Sequence, residues 1–488
     1  MKKKVTISLP PDAHLGIFGP PGSGKTAGVL IPHVLRAPAE DVVVVASLKG
    51  DILEATMGWR QRFGAVTVYD PMNATPIPTC VWDPKSGVTT WSDRLERANL
   101  LVRAGGNQQS LTGGGTSKWE RLAATSFACM MQAADLGGLG MSEIMSWILA
   151  FERDQVGQLL AKDPTSLAAQ AFLGAMVRQH EDGASSIFTT LNMNLAAWTI
   201  QSVLDSATGP SIEFGKLVPT PGSTHYVVAD PATVELTAPI MAAHIDAFLS
   251  ACERQANASG GRLPYKVHLI IDELPSLAPV PRLATRLRTM RSMGVQITWV
   301  SQSLPDLYAP YGRENVGSIL GNSTRMFFGG LGDTDTLSYA EHVVGQAIVK
   351  RKSKGKGDHE SENENTEALL GAHVVRGLKT WQAILLHRQL PPVRVTVTPY
   401  FDDKALSSRA NLPIAAPPPE QPVAEPFGAR TPDADPVPQA PPPESPPPEA
   451  PVDAPTAQAE RAKRVEELRA EKYGEFKARR ASTAGDSA

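Results

Sequence analysis

The 488-residue chain is poor in three things. It has only three cysteines, Cys80, Cys129 and Cys252, far apart and without metal-ligand spacing. They read as small buried apolar groups in a reducing compartment and argue against a disulfide or zinc scaffold. Long apolar runs are also lacking. The greasiest stretches, VVVVA at 42–46 and VHLIID at 267–272, have strand length, far short of the ~20 residues a membrane-spanning helix needs. The opening MKKKVTISLPPDAHLGIF is basic, but its apolar run is short and broken by two prolines, so it is no secretory leader. A soluble, cytoplasmic protein is expected, at most peripheral at the inner face of the cell membrane. Charge of one sign is scarce too. A net charge of −3 excludes a basic nucleic-acid coat, while a local basic surface stays open because clustering decides the field.

A real core is present: hydrophobic residues are 42% of the chain. The length suggests two or three domains. Residues 1–90 alternate strand-like and helix-like pieces, with strands expected at 14–18, 41–46 and 65–69 and helices at 27–35 and 52–63. This βαβαβ pattern implies a parallel sheet covered on both faces. Over 91–211 β-branched runs become rare, and helical periodicity appears at 118–134, 142–160 and 185–204. An all-α insertion is expected there, with Trp91, Trp119 and Trp147 as core residues rather than base platforms. Strand patterns return over 212–401, at 225–229, 266–272, 296–301, 325–329, 383–387 and 393–398, with a polar loop at 350–365. Residues 402–458 are expected as a disordered Pro/Ala-rich linker, since such composition cannot bury enough apolar surface to fold. Residues 459–488 carry a charged helical pattern that reads as a solvated helix or tail.

The chemistry starts at GPPGSGKT, residues 19–26. The segment matches G-x-x-x-x-G-K-[ST] and lies between an expected strand and an expected helix. Gly19, Pro20, Pro21, Gly22, Ser23, Gly24, Lys25 and Thr26 would cradle nucleotide phosphates with backbone N–H groups at a positive helix end. Lys25 would reach the β- and γ-phosphates, and the Thr26 hydroxyl would ligate Mg²⁺. The second half is YKVHLIIDELPSL. Its strand delivers Asp272 and Glu273 at a carboxyl end, the edge where parallel sheets bind ligands. Asp272 would hold the Mg²⁺ shell, and Glu273 would polarise water. The plainer reading, two acids capping a helix, weakens beside the glycine loop. In MRSMGVQITWVSQS, Arg288 and Arg291 fall on a helix and Gln302 just past a strand. Gln302 could sense the γ-phosphate. An outward arginine could act on a neighbour's phosphate, although such arginines are more often solvated.

With these residues in hand, the chain resembles the coupling ATPases of type IV secretion and bacterial conjugation. The resemblance rests on GPPGSGKTAGVLIPHVL, VVVVASLKGDILEATMGWRQRFGAVTVYDP, VWDPKSG, LIIDELPSL, residues 291–294, SQSLPDLYAPYGRENVGSILGNSTRMFFGG and ILLHRQLPPVRVTVTPYF. It covers about residues 14–401, with the helical insertion only weakly similar.

The resemblance implies a RecA-like P-loop ATPase using ATP and Mg²⁺, assembled as a homo-hexamer with nucleotide between subunits. It implies single-stranded DNA with its relaxase, or protein effectors, as cargo, and type IV secretion channel components as partners. Arg291 then falls at the arginine that acts on the neighbour's nucleotide, Gln302 at the γ-phosphate sensor, and Arg325 at a second contact. Two departures stand out. The family's transmembrane helices usually precede the P-loop, which here begins at residue 19, so membrane contact is expected only through partners. The usual Asp before the Lys-Gly turn is replaced by Ser47-Leu48-Lys49. The basic run at 350–356 is a candidate DNA contact, because phosphate contacts dominate such affinity. Two other readings stay open: a nucleotide-gated adaptor with little hydrolysis, and a double-stranded DNA translocase of the same superfamily.

Overall fold

The computed structural model describes residues 7–10, 12–105, 118–177, 181–354 and 360–415. Its strands are β1 (Leu15–Phe18), β2 (Val42–Ser47), β3 (Val66–Tyr69), β4 (Thr224–Val228), β5 (Val267–Ile271), β6 (Val295–Ser301), β7 (Thr324–Phe328), β8 (Gln346–Lys354), β9 (Glu360–Ala368), β10 (Gln382–Leu386) and β11 (Val393–Thr396). One sheet takes the order β11-β10-β7-β1-β6-β5-β2-β4-β3. From β3 to β7 neighbours run parallel, whereas β10 is antiparallel to β7 and β11 to β10. The sheet is thus mostly parallel, with an antiparallel pair added at one edge.

Strands β1, β2, β4, β5 and β6 are buried on both sides because both sides are covered. Successive side chains in a strand point to opposite faces, and the core divides accordingly. Val42, Val44, Ala46, Leu269, Ile271 and Trp299 pack with the long helix Val234–Ala258 and the helices between β3 and β4. Val43, Val45, Ile270 and Val300 pack under the segments 26–36 and 51–60. The helices between β3 and β4 run from Trp91–Gly105 to Phe214–Leu217. Their core is continuous with the sheet's: Phe127, Met130, Ile144, Phe188 and Trp198 join the same buried cluster as Val44 and Trp299. Trp147 is buried in it, and Trp91 packs against it. Trp119 does not follow the core expectation, since it stands 37% exposed near the start of Lys118–Gly137. Among the described residues, no helix is long and apolar enough to cross a membrane.

Three local features depart from the sequence reading. Residues 26–36 open with a wide π-helical stretch, Thr26–Leu30, before the α-helix Ile31–Arg36. Pro32 has no N–H for the carbonyl four residues back, and the Ile31 N–H bonds Thr26 O instead. The expected polar loop at 350–365 is largely a β-hairpin. Its register sets Lys350, Lys352 and Lys354 opposite Glu364, Glu362 and Glu360. The rest of the basic run, 355–356, lies outside the described residues. The expected linker also begins too early at 402. Lys404–Ala410 is a helix, capped by the Asp403 carboxylate at Ala405 N and Leu406 N. Leu406 is buried against the 26–36 and 51–60 face, and Arg409 donates to Leu35 O at 2.6 Å. The remaining linker and the 459–488 tail lie outside the described residues.

Candidate nucleotide site

The phosphate-loop segment leaves β1 at the carboxyl edge of the sheet. Gly22 and Gly24 take φ of 75° and 101°, values that only glycine adopts without strain. Gly24 also leaves no room for a side chain, since a Cβ there would lie 2.4 Å from the Trp381 ring. Gly19 N–H donates to Ser301 O at 3.4 Å, tying the loop to the end of β6. Lys25 is buried, and its ammonium donates to Gly19 O and Pro20 O at 2.7 and 2.8 Å. Burial pulls its pKa down, opposed by attraction from Asp272 and Glu273. The Ser23 hydroxyl is buried inside the loop with no protein partner. A concave loop with a lysine and an unpartnered buried hydroxyl fits a phosphate group.

The register carries the acids to the same place. Phe18 lies opposite Ser301, and Ile271 opposite Trp299, so Asp272 and Glu273 leave β5 at the level where the glycine loop leaves β1. Asp272 N–H extends the ladder to Ala46 O at 2.8 Å. Burial, then repulsion from Asp51, raises the Asp272 carboxyl to about 6. Glu273 is buried in the left-handed region with φ 77° and ψ 67°, a conformation that costs a non-glycine residue energy and clusters at functional sites. Burial raises its carboxyl to about 7, offset in part by the Gln302 amide, which donates to Glu273 Oε2 at 3.1 Å. One hydroxyl, Thr26, and one carboxylate, Asp272, suit Mg²⁺, which usually takes few protein ligands and completes its shell with water and substrate phosphates.

Arg291 is not in this group. It ends the helix Leu283–Met293 just before β6, at the amino edge of the sheet, roughly 20 Å of strand from the carboxyl edge. Its guanidinium donates twice to Asp12 Oδ2, at 2.8 and 2.7 Å, in a cleft shared with Arg262, Lys266 and Arg288. Within one chain it cannot reach the Lys25 loop. Arg325 is also elsewhere. It lies opposite Gly16 in the register and donates to the Tyr339 hydroxyl at 2.8 Å.

Three neighbours of the site received no role from the sequence. Asp51, at the start of Asp51–Arg60, and Lys49 before it both act electrostatically on Asp272. Their signal is positional, since they follow β2, the strand beside β5. Trp381, against Gly24, had no sequence signal.

A model of the type IV secretory system conjugative DNA transfer family matches residues 3–420. The chain belongs to that family. Curated relatives include Protein VirD4 of Rhizobium radiobacter, 22% identical over 424 residues, covering 83% of this chain and 60% of the relative. Conjugal transfer protein TraG of Escherichia coli is 21% identical over 320 residues, covering 60% of this chain and 48% of the relative. The chain thus spans only about half to three fifths of these relatives. Among solved structures, unbound bacterial conjugative coupling protein TrwBdeltaN70 superposes with TM-score 0.60 at 18% identity, over 80% of this chain and 84% of that one. TrwB in complex with ADP and Mg²⁺ gives 0.57 at 18% identity, over 80% and 86%. These likenesses establish the RecA-like fold.

Proposed function

We propose that this family member is the ATP-driven coupling motor of a conjugation or type IV secretion system. It binds ATP with Mg²⁺ at residues 19–26, recruits single-stranded DNA carrying its relaxase, and drives that cargo toward the secretion channel. The TrwB structures with ADP and Mg²⁺ and with a non-hydrolysable ATP analogue support the nucleotide assignment. The observation that carries hydrolysis, beyond binding, is Glu273: a buried, strained carboxylate beside Asp272 and hydrogen-bonded to Gln302.

The loop N–H groups and Lys25 hold the β- and γ-phosphates, and the Ser23 hydroxyl gains a phosphate oxygen as partner. Thr26 and Asp272 would hold Mg²⁺, which when bound would neutralise charge on the phosphate oxygens. Glu273 accepts a proton from the attacking water, a role for which a carboxyl near pH 7 is well matched. Gln302 orients that carboxylate and reports on the γ-phosphate. Arg291, half-buried at the opposite edge, acts on the nucleotide of an adjacent copy, which requires a ring, a homo-hexamer in this reading, and release from Asp12. Membrane contact comes through partners.

The test is ATPase activity of the full chain with and without single-stranded DNA. Stimulation is expected, and Lys25→Ala or Glu273→Gln should reduce turnover by 10² or more. Equal turnover of wild type and Glu273→Gln would favour the adaptor, and stimulation by duplex alone the double-stranded translocase.

A further inference from the structure

The structure places an aromatic corner beside the glycine loop that phosphate chemistry does not use. Gly24 and Gly28 are one helical turn apart, joined by Gly28 N–H to Gly24 O at 2.9 Å. They share a face with no side chains. The Trp381 ring and Val397 cover that face: a Cβ would meet the indole at 2.4 Å from Gly24, and Val397 at 2.6 Å and the indole at 3.3 Å from Gly28. Trp381 is fixed there by its backbone. It takes φ 69°, donates N–H to Ser23 O at 3.4 Å, and accepts from Val397 N–H at 2.9 Å. Phe401 stands perpendicular to it, with centroids 6.0 Å apart and an interplanar angle of 81°. The Phe401 ring is 53% exposed, and Trp381 is half-buried.

We propose that the Trp381–Phe401 corner is the platform for the nucleobase of the bound triphosphate. This rests on the nucleotide reading of residues 19–26 and deepens it. A loop that encloses phosphates at a helix N-terminus leaves the ribose and base to trail outside the first helical turn. On this chain the indole, packed over Gly24 beside Val397 on Gly28, flanks that path. Phe401 supplies a second ring one step further out. Two perpendicular rings offer a π-face to stack on and an edge to stop against, which suits a flat heterocycle. Stacking reads the face of the base and not its hydrogen-bonding edge, so the corner favours a nucleobase without choosing sharply between adenine and guanine. The rings come from the segments flanking β10 and β11, so the edge pair of the sheet gains a role in ligand binding.

The experiment compares two ligands on the full chain by titration calorimetry: Mg·ATP, and Mg·tripolyphosphate, which lacks base and ribose. Phe401→Ala removes a ring that is mostly solvent-facing. It should weaken Mg·ATP about tenfold or more while leaving Mg·tripolyphosphate within twofold of wild type. Phe401→Tyr keeps the ring and should restore ATP affinity. Trp381→Phe should lie between wild type and Phe401→Ala for ATP. If Phe401→Ala binds ATP as wild type does, the platform is wrong. Equal loss of both ligands would also overturn it and make the corner a brace for the loop. Wild-type chain binding neither ligand would overturn the nucleotide reading itself, and the platform with it.

Discussion

Glu273 and Gln302 work as a pair in which the amide restrains the carboxylate. The exposed Gln302 side chain makes one described contact to the site, at 3.1 Å, so its loss should leave the fold intact. Gln302→Ala is expected to cut kcat on the order of 10² while nucleotide affinity stays near wild type. A matching drop in affinity, with kcat retained, would reassign Gln302 to binding. At this scale the sequence was readable where chemistry demands a fixed residue type at a fixed place. Lys25, Asp272 and Glu273 stand at strand ends whose apolar runs announce them, and Gln302 follows the same logic after β6. Trp381 was not readable. Its contact with Gly24 spans a large gap in sequence and depends on a left-handed backbone that no local pattern signals. Arg291 could be noticed on its helix, but its distance from the loop within one chain follows only from which end of β6 it precedes.

Elements buried on both faces announce themselves. VVVVAS and VHLII are strands because the sheet is covered above and below. The β8–β9 hairpin gave no such signal. Its strands, QAIVKRKSK and ESENENTEA, are mostly polar, so no apolar alternation marks them as strands. The helix Lys404–Ala410 was hidden for another reason: it is short, and the proline-rich composition just beyond it dominates any window that includes it. Its anchor is Leu406, 2% exposed. Leu406→Ala should destabilise the protein by about 2–3 kcal/mol through lost burial and an unfilled cavity. Denaturant melts of the variant check this, and an unchanged midpoint would mean that the segment is docked without contributing to stability.

Across the whole molecule, buried neutral histidines couple stability to acidity. Burial holds His14 at about 4 and both His33 and His225 at about 3, and drives His244 down as well. His225 and His244 face each other, Nε2 to Nε2, at 2.7 Å. In the unfolded chain these rings take up protons near the ordinary histidine value of about 6.5, whereas the folded protein excludes them. The unfolded state therefore binds more protons between pH 6.5 and about 4. Stability is full above that window and falls through it, by up to about 1.4 kcal/mol per pH unit for each ring. The raised carboxyls of Glu273 (about 7) and Asp272 (about 6) act the other way, since the folded state takes up their protons first; with four rings against two acids, thermal midpoints should still fall below pH 6.5. A midpoint unchanged down to pH 5 would show that the rings are protonated in the folded state. The fold class was visible from the alternation of elements. That the helices between β3 and β4 share one core with the sheet was not, because periodicity reports which face of a helix is apolar and not what covers it.

The order of the sheet also bears on how the protein is made. β1 sits beside β7, whose outer neighbour β10 comes late in the chain. About 350 residues separate Gly24 from Trp381. At roughly 5–20 residues per second of synthesis, the glycine loop leaves the ribosome on the order of 20–70 s before the ring that lies against it. For that interval the nascent chain carries a phosphate loop open on the Gly24 side, so the site matures only once synthesis has passed Trp381.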